Sequence, residues 1–105
     1  MLNSPKLNHY LNNGPTQGII RIYNLDNDKS LLLKSHDIIK DSNSIRFQLD
    51  LGLYPNKALQ KDYHDIGLEL FAIEPIIILK DDDSLVDLLE KAINNLQSKN
   101  IELYN

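Results

Sequence analysis

The chain has 105 residues, 42% of them apolar and 25% charged, a formal net charge of −4 and no cysteine. That length predicts one domain with one modest core, and the lack of cysteine excludes disulfides and thiolate metal sites. The longest apolar run, Ile76-Ile77-Ile78-Leu79, is far too short to span a bilayer, and the first residues lack a basic region followed by an apolar one, so the reading is a cytoplasmic protein with no membrane partner.

Residues 1–16 are polar and Asn-rich, with Pro5 and Gly14-Pro15 as punctuation. They read as a flexible arm ending in a turn, with Tyr10 and Leu11 able to dock on the domain formed by 17–105. Residues 18–25 are Ile-rich and read as a strand. The Asn and Asp residues of 24–29 tolerate left-handed backbone and predict a hairpin turn, with 30–34 as the returning strand. The polar stretch 36–44 reads as a short helical turn or an irregular segment.

Residues 45–54 carry two signals. Ile45, Phe47, Leu49, Leu51 and Leu53 alternate with polar residues and Gly52, which by periodicity alone means strand. Yet Ile45 and Leu49 can share one face of a helix that Gly52 and Pro55 would stop. Next, Leu59, Tyr63 and Ile66 form a helical stripe over 56–66, with Asn56 as N-cap and Gly67 as the stop. Residues 68–79 are apolar and branched and read as a strand. Pro75 cannot donate to a ladder, which places it at a sheet edge or a bulge. Ser84 and Asp87 resemble a capping box ahead of the stripe Leu85, Leu89, Ala92, Ile93 and Leu96. The run 81–83 reads as charge at the positive end of that helix rather than as a cation site. Residues 101–104 can add a short final segment. Three strands with helices against them predict a small α+β domain built on a mostly antiparallel sheet.

Several pieces, taken in order, resemble one family. Leu49-x-x-Gly52-x-x-x-Asn56-x-x-Leu59-Gln60-x-Asp62 lies at the centre, with Gly18-Ile19-Ile20 before it and Asn27-Asp28-Lys29, Leu31-Leu32-Leu33 and Ser35-His36-Asp37-Ile38 between. Phe71-Ala72-Ile73-Glu74, Glu90-Lys91-Ala92-Ile93 and Tyr104-Asn105 follow. Together these resemble a GIY-YIG nuclease domain, which implies a three-stranded sheet flanked by helices and a helix over 45–51. In that family one Glu holds a divalent metal on the scissile phosphate, a Tyr helps deprotonate water, and an Arg and a second Tyr stabilise developing charge.

The resemblance puts Ile20 and Leu31 at the two tyrosine positions, where neither can move a proton or donate a hydrogen bond. Leu33 stands at the second-motif Gly, and the family Arg falls near Lys40 or Asp41, with Arg46 as a displaced alternative. Tyr23 lies an odd offset from Ile20 and so on the opposite strand face. Glu90 falls on the helix that carries the family's metal ligand, magnesium or manganese being the implied ion, but reads more readily as a solvated helix residue. Asn105 matches a family site Asn or is a frayed end. His9, His36 and His64 lack ligand spacing. Only Arg21 and Arg46 are arginines, and no basic cluster is visible to displace counterions from phosphates. The expectation is a degenerate nuclease-like domain, non-catalytic, acting in binding or assembly with an unnamed partner. The alternative is a divergent metal-dependent endonuclease hydrolysing DNA phosphodiesters through Arg46, Glu90 and Asn105.

Overall fold

The structure is a computed structural model that describes residues 14–105; the arm expectation, including Tyr10 and Leu11, lies mostly outside the described residues. The elements are β1 (Gly18–Asn24), β2 (Ser30–Ser35), α1 (Ile38–Leu51), α2 (Lys57–Ile66), a 3-10 turn (Leu68–Leu70), β3 (Phe71–Ile78) and α3 (Leu85–Ser98). The sheet order is β2-β1-β3, with both pairings antiparallel. The expected hairpin is present, and Asp28 takes the left-handed conformation at φ 64° inside its turn.

Alternation along β1 splits the core in two. Ile20 and Ile22 face α1 and α2 together with Leu31, Ile38, Ile45, Leu49, Leu59, Tyr63 and Phe71. Ile19 faces the other way, and with Leu32 it packs on Leu88, Ala92 and Leu96 of α3. The sheet is therefore covered on both faces. Edge strand β3 serves both cores through a bulge: Ile20 pairs with Pro75 but Ile19 pairs with Ile77, leaving Ile76 extra. The extra residue flips the parity of the strand, so Ile73 packs in the first cluster and Ile77 in the second. Pro75 sits at both expected places, an edge strand and a bulge.

The period-two reading of 45–54 gives way to the helix that the resemblance implies. Only Ile45 and Leu49 of that run are buried, while Phe47, Leu51 and Leu53 are exposed, so the alternation marks no buried strand face. Helix α1 also begins earlier than expected, since 38–44 is its first half rather than an isolated turn. Asp37 caps it by accepting the Lys40 N–H, and Gly52 ends it at φ 75° while donating back to the last turn. The second correction is at 68–70, expected as strand. Gly67 at φ 103° accepts the Leu70 N–H and tightens these residues into a 3-10 turn, so the ladder starts at Phe71. Asn56 and Ser84 cap α2 and α3, each accepting the N–H three residues on.

The outer edge of β2 is closed by the C-terminal segment. Leu103 bridges Ser30 in parallel, with Ser30 N–H donating to Glu102 O at 3.0 Å and Tyr104 N–H to Ser30 O at 2.7 Å. No helix among the described residues is long and apolar enough to cross a membrane.

Candidate functional site

The two positions that the resemblance assigns to tyrosines are packed core. Ile20 is 0% exposed and Leu31 7% exposed, both in the cluster under α1 and α2. Ile20 lies opposite Leu33 of β2, which also packs against this cluster. Aliphatic and aromatic carbon therefore fills the volume around both positions. The nearby Asp41 carboxylate accepts a hydrogen bond from the Ser35 hydroxyl at 2.6 Å, and Lys40 is exposed.

Arg46 lies on the flank of α1 that faces α2. One turn on, Asp50 accepts a short hydrogen bond from the Tyr63 hydroxyl, and Arg46 interacts with the same phenol. Burial first, then the Asp50 carboxylate, holds the Tyr63 phenol above the ordinary tyrosine range, with Arg46 opposing. The Arg46 and Asp50 spacing of four residues was legible once 45–51 is taken as helix; the partner Tyr63 comes from a separate helix and left no local signal. Asp50 and Tyr63 border an open groove of about 510 Å³ between the end of α1 and α2, lined also by Gly52, Gln60, His64 and Leu68. His36, by contrast, shares a 3.1 Å hydrogen bond with Gln17 at the opposite end of α1.

Glu90 stands elsewhere. The buried residues of α3 are Leu88, Ala92 and Leu96, so Glu90 is turned about 200° from Leu88 around the helix and is exposed. Helix α3 covers the sheet face opposite to α1, which puts the sheet between Glu90 and Arg46. Magnesium sites use one or two carboxylates plus substrate phosphate. Glu90 offers one, but Ile20, Leu31 and Arg46 do not face it, and no three His, Asp or Glu side chains converge among the described residues. Glu90 is thus a single exposed carboxylate on the helix that packs against the other face of the sheet. The acidic run 81–83 is exposed, and Asp83 uses its carboxylate to accept the Lys80 N–H at 3.0 Å.

Asn105 is held rather than frayed. Its side-chain oxygen accepts the Leu32 N–H at 2.9 Å and its amide donates to Leu32 O at 2.8 Å. One side chain thereby satisfies both outward-pointing backbone groups of an edge-strand residue, as a further strand would. Beside it, the Tyr104 hydroxyl donates to Asp62 at 2.6 Å, the Asn56 amide donates to Tyr104 O at 3.2 Å, and Lys29 Nζ lies 4.5 Å from the Tyr104 ring centre. Burial, then Asp62, pushes the Tyr104 phenol well above the ordinary tyrosine range. Arg21 is folded onto its own hairpin: it donates to Ser30 Oγ at 2.8 Å and stacks 3.9 Å from the Tyr23 ring centre.

No protein-family model matches this chain, and no curated protein matches it. Among solved structures it is similar to the catalytic domain of the homing endonuclease I-TevI, with a TM-score of 0.69, 22% identity, and coverage of 82% of this chain and 94% of that one. A mutant catalytic domain of the intron endonuclease I-TevI gives a TM-score of 0.68 at 22% identity, covering 83% of this chain and 90% of its own. At this level of identity the likeness establishes the fold.

Proposed function

We propose that this domain, GIY-YIG-like in fold, is a degenerate, non-catalytic relative of that nuclease superfamily that acts in the cytoplasm by binding or assembly. The observation that carries the reading is the burial of Ile20 and Leu31 in the core under α1 and α2. An alkyl side chain can neither accept the proton of an attacking water nor donate to a phosphoryl oxygen. Both roles require an oriented polar group at the reacting atoms. Arg46 is engaged with Tyr63 beside Asp50, and Glu90 is on the far side of the sheet. The net charge of −4 weakens capture of a polyanion as well, so nucleic acid is the weaker choice of partner.

The second reading is a divergent endonuclease that holds magnesium or manganese on Glu90 and uses Arg46 for charge. Its support is the likeness of fold to an endonuclease catalytic domain. Nicking of supercoiled plasmid separates the two. The expected outcome is no divalent-dependent nicking above background by the native protein. Robust nicking that is lost in Glu90→Ala and retained in a distant surface variant supports the second reading and ends the first.

A further inference from the structure

Among the described residues, the outer face of the last two turns of α1 carries apolar side chains that nothing covers. Phe47 is 65% exposed and Leu51, one turn on, 54% exposed, and both point away from the core side marked by Ile45 and Leu49. Leu53, 68% exposed, follows the helix end and lines an adjoining hollow, and Leu68, 54% exposed, lines the groove together with Leu51. The exposed parts of these four side chains amount to roughly 400–500 Å². That is the scale of the apolar portion of one side of a standard interface, which buries about 800 Å² per partner.

The face has a ridge and a hollow side by side. Gly52 and Gly67 both line the groove. A Cβ on either would meet nothing within 4 Å, so the space above both backbones is open. Phe47 stands one helical turn from Leu51 at the edge of this hollow, so a two-fold axis can set each ridge against the other copy's groove. The flanks carry both signs: Arg46 and Asp50 on α1, with Lys61 and Asp65 paired at 2.8 Å on α2. The rim therefore carries charges of both signs rather than a single-sign field. A polyanion or an anionic membrane would instead demand a positive rim.

We propose that this chain forms a two-fold dimer through the ridge of Phe47, Leu51 and Leu53 and the groove at Gly52, Gly67 and Leu68. The dimer does not depend on whether the domain cleaves nucleic acid. Sedimentation velocity of the full chain, from micromolar to submillimolar concentration, tests it. The expected result is a concentration-dependent rise from 12.1 kDa to twice that mass. Phe47→Asp and Leu68→Lys each raise the midpoint at least about tenfold with unchanged circular dichroism. Val86→Asp, an exposed apolar position on α3, leaves it unchanged. Should a charged variant fail to fold, single cysteines serve instead, since the chain has none. Under a mild oxidant, Phe47→Cys and Leu68→Cys copies link to one another and Val86→Cys copies do not. A monomer throughout, a dimer indifferent to Phe47→Asp and Leu68→Lys, or no link between positions 47 and 68 overturns the proposal.

Discussion

The surroundings of Ile20 and Leu31 decide what else could stand at those positions. Both are enclosed by aliphatic and aromatic carbon in one cluster. A tyrosine at either place must displace neighbours and bury a hydroxyl without a prepared partner. Ile20→Tyr and Leu31→Tyr should each cost about 2 kcal/mol or more, whereas Ile20→Val should cost about 0.5–1.5 kcal/mol. Thermal or urea unfolding reads the difference; a tyrosine accepted at both positions without loss would mean that a hydroxyl-sized polar pocket survives there. Tyr104 is the second telling residue. Its phenol is raised by burial and by Asp62, so above pH about 10 an unfolded tyrosine loses its proton while the folded one keeps it. The unfolded chain then binds fewer protons, and stability falls as pH rises. Below that pH the contribution is fully present. Tyr104→Phe should cost about 1–2 kcal/mol near neutral pH and show a shallower alkaline loss than the native protein. Parallel alkaline slopes in the two proteins would remove Tyr104 from that account. The resemblance marked Tyr104 and Asn105, but the hydrogen bonds of Asn105 to Leu32 were not legible. They join residues 73 apart, and a terminal Asn has no local pattern to betray a long-range partner.

Strand pairing sets the tolerances of individual elements. Gly18 opens β1 where the chain runs against the bulge of β3, and a Cβ there would lie 2.0 Å from Ile77 O. Backbone cannot yield as a side-chain tip does. Gly18→Ala should therefore destabilise by more than about 2 kcal/mol, measured by denaturant titration, while Gly52, at a left-handed helix end, is constrained by φ and not by space. A neutral Gly18→Ala would mean the two strands part at little cost. Much of this layer was legible. The hairpin followed from Ile-rich runs around an Asn/Asp turn, and α2 and α3 followed from apolar stripes behind Asn56 and Ser84. Helix α1 was legible only in its second half, through the family resemblance and through Ile45 and Leu49 sharing one helix face ahead of Gly52 and Pro55. Its buried residues Ile38, Ile45 and Leu49 are widely spaced, and Phe47 and Leu51 on the outer face imitate a strand. The 3-10 turn was hidden for a related reason: Leu68 and Leu70 are apolar yet exposed, so composition promised burial that the fold does not provide.

Across the whole molecule, one sheet separates two helical layers. That separation bears most on chemistry, since Arg46 belongs to one layer and Glu90 to the other. A sequence lists the two as candidates of equal standing; only the parity of β1, and of β3 across its bulge, assigns them to opposite faces. The fold is thus shared with an endonuclease catalytic domain, while Ile20 and Leu31 are spent on packing. Loss of a single preorganised donor commonly costs about 100- to 1000-fold in rate, and loss of general-base help about 100- to 10,000-fold; the two need not multiply. The most direct test is single-turnover nicking of supercoiled plasmid by excess native protein, in magnesium and again in manganese. A non-catalytic domain gives a rate indistinguishable from that of Glu90→Ala and of buffer. A metal-dependent rate well above both, abolished by Glu90→Ala, would contradict the non-catalytic reading.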